Sequence, residues 1–81
     1  MSIRWIRNIL VDEEAVTLEV FLGDYQISDK CYVRVNSGPE RWFVPKGETR
    51  DGILQQGIEI LREQFKGKKI TYANGNDFNW K

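Results

Sequence analysis

Histidine is absent from this 81-residue chain, and that absence removes much of enzyme chemistry. Without an imidazole, Ser-His and Cys-His nucleophile pairs, imidazole acid–base catalysis and the commonest side-chain metal ligand are all excluded. The sequence also lacks glycine-rich phosphate loops, nucleophile elbows and metal-ligand spacings. We therefore expect a protein that is not an enzyme, with no catalytic residue, no metal and no cofactor. An enzyme built from carboxylates and tyrosines is the weakest of three functional hypotheses.

Cysteine and long apolar runs are scarce. Cys31 is the only cysteine, so no internal disulfide can form, whereas small secreted domains usually carry several. No stretch approaches the roughly 20 apolar residues of a membrane span, and the acidic run Asp12–Glu14 comes too early for a signal peptide. We expect a soluble, cytoplasmic protein with no membrane partner.

Net charge is also missing, because 12 Lys and Arg residues balance 12 Asp and Glu residues. The chain therefore lacks the long-range field that draws a protein to duplex DNA. Its 41% hydrophobic and 30% charged residues are close to the averages for globular chains. We expect residues 1–81 to form one small globular domain, with residues 74–81 either loosely attached or packed over an edge of the core.

Alternating apolar residues predict an antiparallel sheet in the first half of the chain. The clearest strand pattern is the apolar series Val16, Leu18, Val20 and Leu22. The Gly23-Asp24 pair suits a two-residue hairpin turn, which would begin the next strand at Tyr25 and pair Val20 with Ile27. Further strands are predicted at Ile3–Val11, Cys31–Val35, Arg41–Val44 and Ile70–Tyr72.

A helix is predicted from Thr49 to Lys66. Its apolar residues fall within one arc: Ile53, Leu54, Gly57, Ile58, Ile60, Leu61 and Phe65. Gly57 lies in the middle of this arc, so we expect close approach of the helix to the sheet there. The fold class is α+β: a small antiparallel sheet of three to five strands with one amphipathic helix on one face, in the order β-β-β-β-α-β.

The leading functional hypothesis is a non-enzymatic protein-binding module, such as an accessory, regulatory or inhibitory small protein. Four Phe, three Trp and three Tyr residues supply more aromatic area than one sheet–helix interface can cover. Strand alternation also lets only one of Trp42 and Phe43 join the core. The partner would be another protein or a second copy of this chain, and the candidate contact residues are Trp42, Phe43, Phe78, Trp80 and Phe21.

The alternative function is binding of single-stranded RNA or DNA by a sheet face that mixes basic and aromatic side chains. Aromatic faces stack on any base, and guanidinium groups hold the phosphate backbone. The candidate residues are Arg4, Trp5, Arg7, Tyr32, Arg34, Arg41, Lys68 and Lys69. Cys31 alternates with Val33 and Val35, so we interpret it as a small core residue rather than a reactive thiol.

Overall fold

The computed structural model describes residues 3–23 and 31–80. The described strands form one antiparallel sheet in the order β4-β3-β2-β1-β5. Together with the helix described, they confirm the predicted α+β fold and its element order. The elements are β1 (Ile3–Val11), β2 (Glu14–Leu22), β3 (Cys31–Val35), β4 (Arg41–Phe43), α1 (Arg50–Gln64) and β5 (Ile70–Thr71).

The turn between β1 and β2 consists of Asp12 and Glu13. Both have positive φ, 50° and 73°, as a two-residue type I′ hairpin requires. The backbone N–H of Asp12 donates to the carbonyl of Lys69 at 2.9 Å, and the N–H of Lys69 donates to Oδ1 of Asp12 at 3.2 Å. These bonds fasten the hairpin tip to the loop that leads into β5.

One face of the sheet, which we call the inner face, carries the core. Its fully buried side chains include Leu18, Val20 and Leu22 of β2 and Cys31 and Val33 of β3. The helix covers these strands with its own buried residues, Ile53, Gly57, Ile58 and Leu61. The helix contacts both β2 and β3, so the predicted packing of one helix on one face of the sheet is confirmed.

The helix begins as its sequence predicts and ends slightly earlier. Thr49 is the N-cap, and its hydroxyl accepts a hydrogen bond from the N–H of Gly52 at 3.1 Å. The last helical residue is Gln64, and Gly67 follows with φ 84°. At Gly57 an added Cβ would lie 2.5 Å from Cγ1 of Val20, so the close approach expected there is confirmed.

Cys31 has no exposed surface, as its alternation with core residues predicts. Burial raises the pKa of its thiol, because the interior disfavours the thiolate. The nucleophilic form is therefore suppressed at neutral pH.

The expected pairing of Val20 with Ile27 is wrong. Val20 pairs with Trp5 on one side and with Val33 on the other, so both of its pairing positions in the sheet are occupied. The proposed Gly23-Asp24 turn and the start of a strand at Tyr25 fall on residues 24–30, outside the described part of the chain.

The C-terminal residues pack on the domain's own core. Phe78 is only 9% exposed, and its N–H donates to the carbonyl of Ile70 at 3.1 Å. Its ring makes edge contacts with Tyr72 and Trp80 at centroid distances of 5.3 and 4.9 Å. Among the described residues of this segment, Phe78 and Trp80 are the ones that pack on the core.

Candidate functional site

The sheet face opposite the helix is the candidate site, and we call it the outer face. Because side chains alternate along a strand, the residues between the core positions point to this side. No described helix covers it. Its residues include Arg4, Ile6, Asn8, Thr17, Glu19, Phe21, Tyr32, Arg34 and Trp42.

A row of four side chains crosses the outer face from β1 to β4. Arg4 lies opposite Phe21, Phe21 opposite Tyr32, and Tyr32 opposite Trp42. The Arg4 guanidinium lies 5.2 Å from the Phe21 ring centroid, and the Phe21 and Tyr32 rings stack at 4.9 Å with an interplanar angle of 20°. Trp42 then meets Tyr32 edge-on at 5.0 Å. The rings therefore cover one another's faces: Tyr32 is 6% exposed, whereas Trp42, at the end of the row, is 55% exposed.

A second row places a carboxylate between two guanidinium groups. Glu19 lies between Ile6 and Arg34, and only 6% of the residue is exposed. Nε of Arg34 donates to its Oε1 at 2.5 Å, and Nε of Arg4 lies 2.8 Å from its Oε2. The Arg4 contact is an ion pair whose geometry leaves Oε2 without a hydrogen bond.

The two guanidinium groups share the single carboxylate, so this part of the face has one positive charge in excess. Hydrogen bonding to Glu19 holds the pKa of the Arg34 guanidinium above its already high ordinary value. The Arg34 guanidinium also lies 5.6 Å from the Tyr32 ring centroid. Glu19 therefore fixes both arginines over the aromatic row.

The predicted protein-contact residues lie on different sides of the molecule. Trp42 and Phe21 share the outer face; alternation predicts this position for Phe21 and allows it for either Trp42 or Phe43. Phe43 is on the inner side, opposite Cys31 and close to Gly57. The expectation that Phe78 stays outside the core is corrected by its burial, and Trp80 is half-buried against the same core.

The candidates for nucleic-acid binding are divided among three regions. Arg4, Tyr32 and Arg34 lie together on the outer face. Three others belong to the inner side: Trp5, Arg7 and Arg41. The Arg7 guanidinium lies 4.7 Å from the ring of Trp5, and Arg41 is opposite Val33. The remaining two, Lys68 and Lys69, are at the far end of β1, beside Asp12.

Sequence reasoning did not single out several members of the outer face, among them Glu19 and Ile6. Ile6 is 44% exposed beside the buried carboxylate. The alternation of β2 could place Glu19 on the same face as Phe21. Its two arginine contacts could not be predicted in that way, because they depend on pairing with strands distant in sequence.

Other surfaces offer less chemistry. A groove between β4 and the helix is lined by Phe43, Val44 and Ile60 together with Glu59 and Glu63. Within residues 3–23 and 31–80, no group of three or more Cys, Asp or Glu side chains is placed to hold a metal ion. In the same ranges, the helix is too short and too polar to cross a bilayer.

No protein-family model matches the chain, and no curated protein or solved structure matches it either. The functional proposal rests on the geometry of the outer face.

Proposed function

We propose that this chain is a non-enzymatic protein-binding module and that the outer face is its contact surface. The observation that carries this proposal is a sheet face, uncovered by any described helix, on which exposed Trp42 and Ile6 flank two arginines. Trp, Tyr and Arg are the residue types that most often dominate interface energetics. The face spans four strands, roughly 14 Å at about 4.8 Å between neighbouring strands.

The outer face is held in place before any partner arrives. Phe21 and Tyr32 are fixed by their mutual stacking, and Arg4 and Arg34 by Glu19. A contact surface whose rotamers are already fixed loses less conformational entropy on binding. The excess guanidinium charge favours a partner that brings a carboxylate to the arginines and apolar side chains to Trp42 and Ile6.

The arrangement of the rings supports protein binding over stacking of nucleic-acid bases. A base needs a free aromatic face. The Phe21 face toward Arg4 is covered by the guanidinium, and its other face is covered by Tyr32. Glu19 also neutralises one of the two arginine charges that would hold a phosphate. Among the described aromatic residues, only Trp42 is more than half exposed.

The test compares Trp42→Ser with Val44→Ser. Val44 is 67% exposed and lies at the groove beside the helix, so its substitution removes a similarly exposed apolar side chain elsewhere. Partners captured from the native host are identified by mass spectrometry, and their affinities for each variant are then measured by calorimetry. We expect Trp42→Ser to weaken binding by about tenfold or more and Val44→Ser to leave it unchanged.

Two further measurements complete this test. The affinity is measured at several salt concentrations, and circular dichroism checks that each variant folds. Binding dominated by aromatic burial should change little with ionic strength, whereas binding through phosphate contacts falls steeply. The proposal is wrong if both variants fold and bind the partner equally well. It is also wrong if the ligand captured is a single-stranded nucleic acid whose affinity falls steeply with salt.

A further inference from the structure

The edge of β1 is open along most of its length. β5 pairs with β1 only at Leu10 and Val11, so the segment Ile3–Ile9 has no strand on that side among the described residues. The segment is longer than a typical complete strand, which has about 5–6 residues. Unpaired strand edges are templates for pairing with another chain.

The hydrogen bonds at the hairpin end show which main-chain groups point toward this open side. Asp12 donates its N–H to Lys69, and Leu10 faces Thr71 of β5. Main-chain groups of alternate residues point to the same side of an antiparallel strand, so those of Arg4, Ile6 and Asn8 also point outward.

These outward groups are almost entirely unpaired within the described structure. The carbonyl of Ile6 accepts a hydrogen bond from Nη1 of Arg7 at 2.8 Å. No described backbone group bonds the other outward N–H and C=O groups of Arg4, Ile6 and Asn8. A partner strand could therefore bond to this edge by displacing a single side-chain contact.

We propose that a second copy of the chain pairs with this edge, antiparallel, about a two-fold axis at Ile6. The proposal goes beyond the protein-binding function of the outer face because it uses the main-chain edge of β1 rather than the side chains of that face. It joins two sheets edge to edge and leaves both outer faces open on the same side of one continuous sheet.

The sequence of β1 is self-complementary about Ile6. In this register each Arg4 lies opposite Asn8 of the second copy, and the two Ile6 residues face each other. Trp5 lies opposite Arg7 of the second copy, which repeats between chains the cation–π pair found at 4.7 Å within one chain. No like charges are directly opposed, and the pairing extends over the complete open segment Ile3–Ile9.

The other two-fold registers are less favourable. An axis at Arg4 or at Arg7 would place two guanidinium groups directly opposite each other. An axis at Asn8 would pair Ile6 with Leu10, whose outward side is already taken by Thr71. An axis at Trp5 would pair only Ile3–Arg7 of the described open segment.

The first test measures mass in solution by sedimentation across a range of concentrations. Ile6→Pro removes an outward N–H that no described backbone group uses, so the fold should survive while the central pair is lost. Ile6→Thr is the matched control, because it keeps the N–H and the β-branched shape. We expect the unmodified chain and Ile6→Thr to dimerise, and Ile6→Pro to dimerise about tenfold less strongly or not at all.

The second test fixes the register by disulfide cross-linking. Ile6→Cys should cross-link two copies on oxidation, because residues directly opposite on paired strands lie about 5.5 Å apart between Cα atoms. Asn8→Cys should not, because the two copies of this residue would be roughly 13 Å apart along the strands. Cys31 is fully buried in both variants and does not compete. The cross-linking of Ile6→Cys and Asn8→Cys still tests the edge pairing if Ile6→Pro does not fold.

The edge pairing is wrong if the unmodified chain stays monomeric at every concentration, or if folded Ile6→Pro dimerises as strongly as Ile6→Thr. It is also wrong if Asn8→Cys cross-links as readily as Ile6→Cys. Trp42→Ser separates this proposal from the proposed function, since it should weaken capture of a protein partner without changing dimer mass. If Trp42→Ser dissolves the dimer and Ile6→Pro does not, self-association uses the outer face instead.

Discussion

The two faces of the sheet bury their side chains in different ways. On the inner face, Leu18, Val20 and Leu22 are covered by the helix, a separate layer. On the outer face, Glu19 and Tyr32 are each only 6% exposed although no described helix lies above them. Their cover comes from lateral neighbours on adjacent strands of the same sheet.

This difference explains where apolar surface remains exposed. A side chain is covered in this way only when it has a neighbour on each side in its row. The last side chain of a row therefore stays exposed. Trp42 ends the aromatic row on the edge strand β4, and Ile6 ends the Glu19 row on β1, beside the open part of that strand. Both are among the exposed large hydrophobic residues, at 55% and 44%. On the inner face, none of the described apolar strand residues is as exposed as these two, because the helix covers β2 and β3.

The largest effect of a single truncation is expected on the inner face. Leu61 is fully buried at the centre of the helix–sheet contact, so Leu61→Ala should lower the free energy of unfolding by about 2–5 kcal/mol. Urea unfolding measures this, with the half-buried Ile60 truncated to Ala as the control that should cost less. A loss below about 0.5 kcal/mol would place Leu61 outside the core and contradict the assigned inner face.

A smaller effect is expected where the helix touches the sheet most closely. Gly57→Ala adds a Cβ within 2.5 Å of Val20, a buried and rigid side chain. Overpacking of this kind costs about 1–3 kcal/mol, which should outweigh the roughly 1 kcal/mol that alanine gains in helix propensity. Gly47→Ala is the control, because nothing lies within 4 Å of its added Cβ. An increase in the urea midpoint for Gly57→Ala would contradict this, because it would show that the space between Gly57 and Val20 can hold the added methyl group.

The inner face could be predicted from the sequence because its signals are local and periodic. The alternation of β2, the helical arc and Gly57 each depend on neighbours within one element. The register of β3 is different, because the local Gly23-Asp24 signal predicts a short turn that pairs Val20 with Ile27. The register observed instead places Cys31 and Val33 opposite Leu22 and Val20, which keeps the part of the inner face formed by β2 and β3 apolar.

The outer face was predictable only in part, because its chemistry comes from pairing between distant strands. Alternation alone places Phe21 outside the core and lets only one of Trp42 and Phe43 join it. The pairing of β4 with β3 decides that Trp42 is the outer one. The contact of Glu19 with Arg34 joins residues 15 positions apart and needs the strand register to be known. Phe78 was assigned to the surface by counting aromatic residues, a method that cannot detect the hydrogen bond from its N–H to Ile70.

A modest effect is expected at the buried carboxylate of the outer face. Glu19→Gln keeps the size of the side chain and an oxygen that can accept a hydrogen bond, but removes the charge that Arg4 and Arg34 share. We expect urea unfolding to show a loss of about 1–2 kcal/mol. The value is modest because the Arg4 side chain is 50% exposed and can turn toward water.

Glu59→Gln is the matched control for this last change. Glu59 forms a pair with Arg62 at 3.5 Å on the exposed side of the helix, where side-chain exposures are 53% and 59%. Such surface pairs contribute about 0.3–0.5 kcal/mol, so this variant should unfold almost as the unmodified chain does. Equal losses for the two variants would mean that Glu19 behaves as an ordinary surface carboxylate. Glu19 would then do little to hold Arg4 and Arg34 in place. Contacts between neighbouring side chains on adjacent strands would not explain how the outer face is ordered.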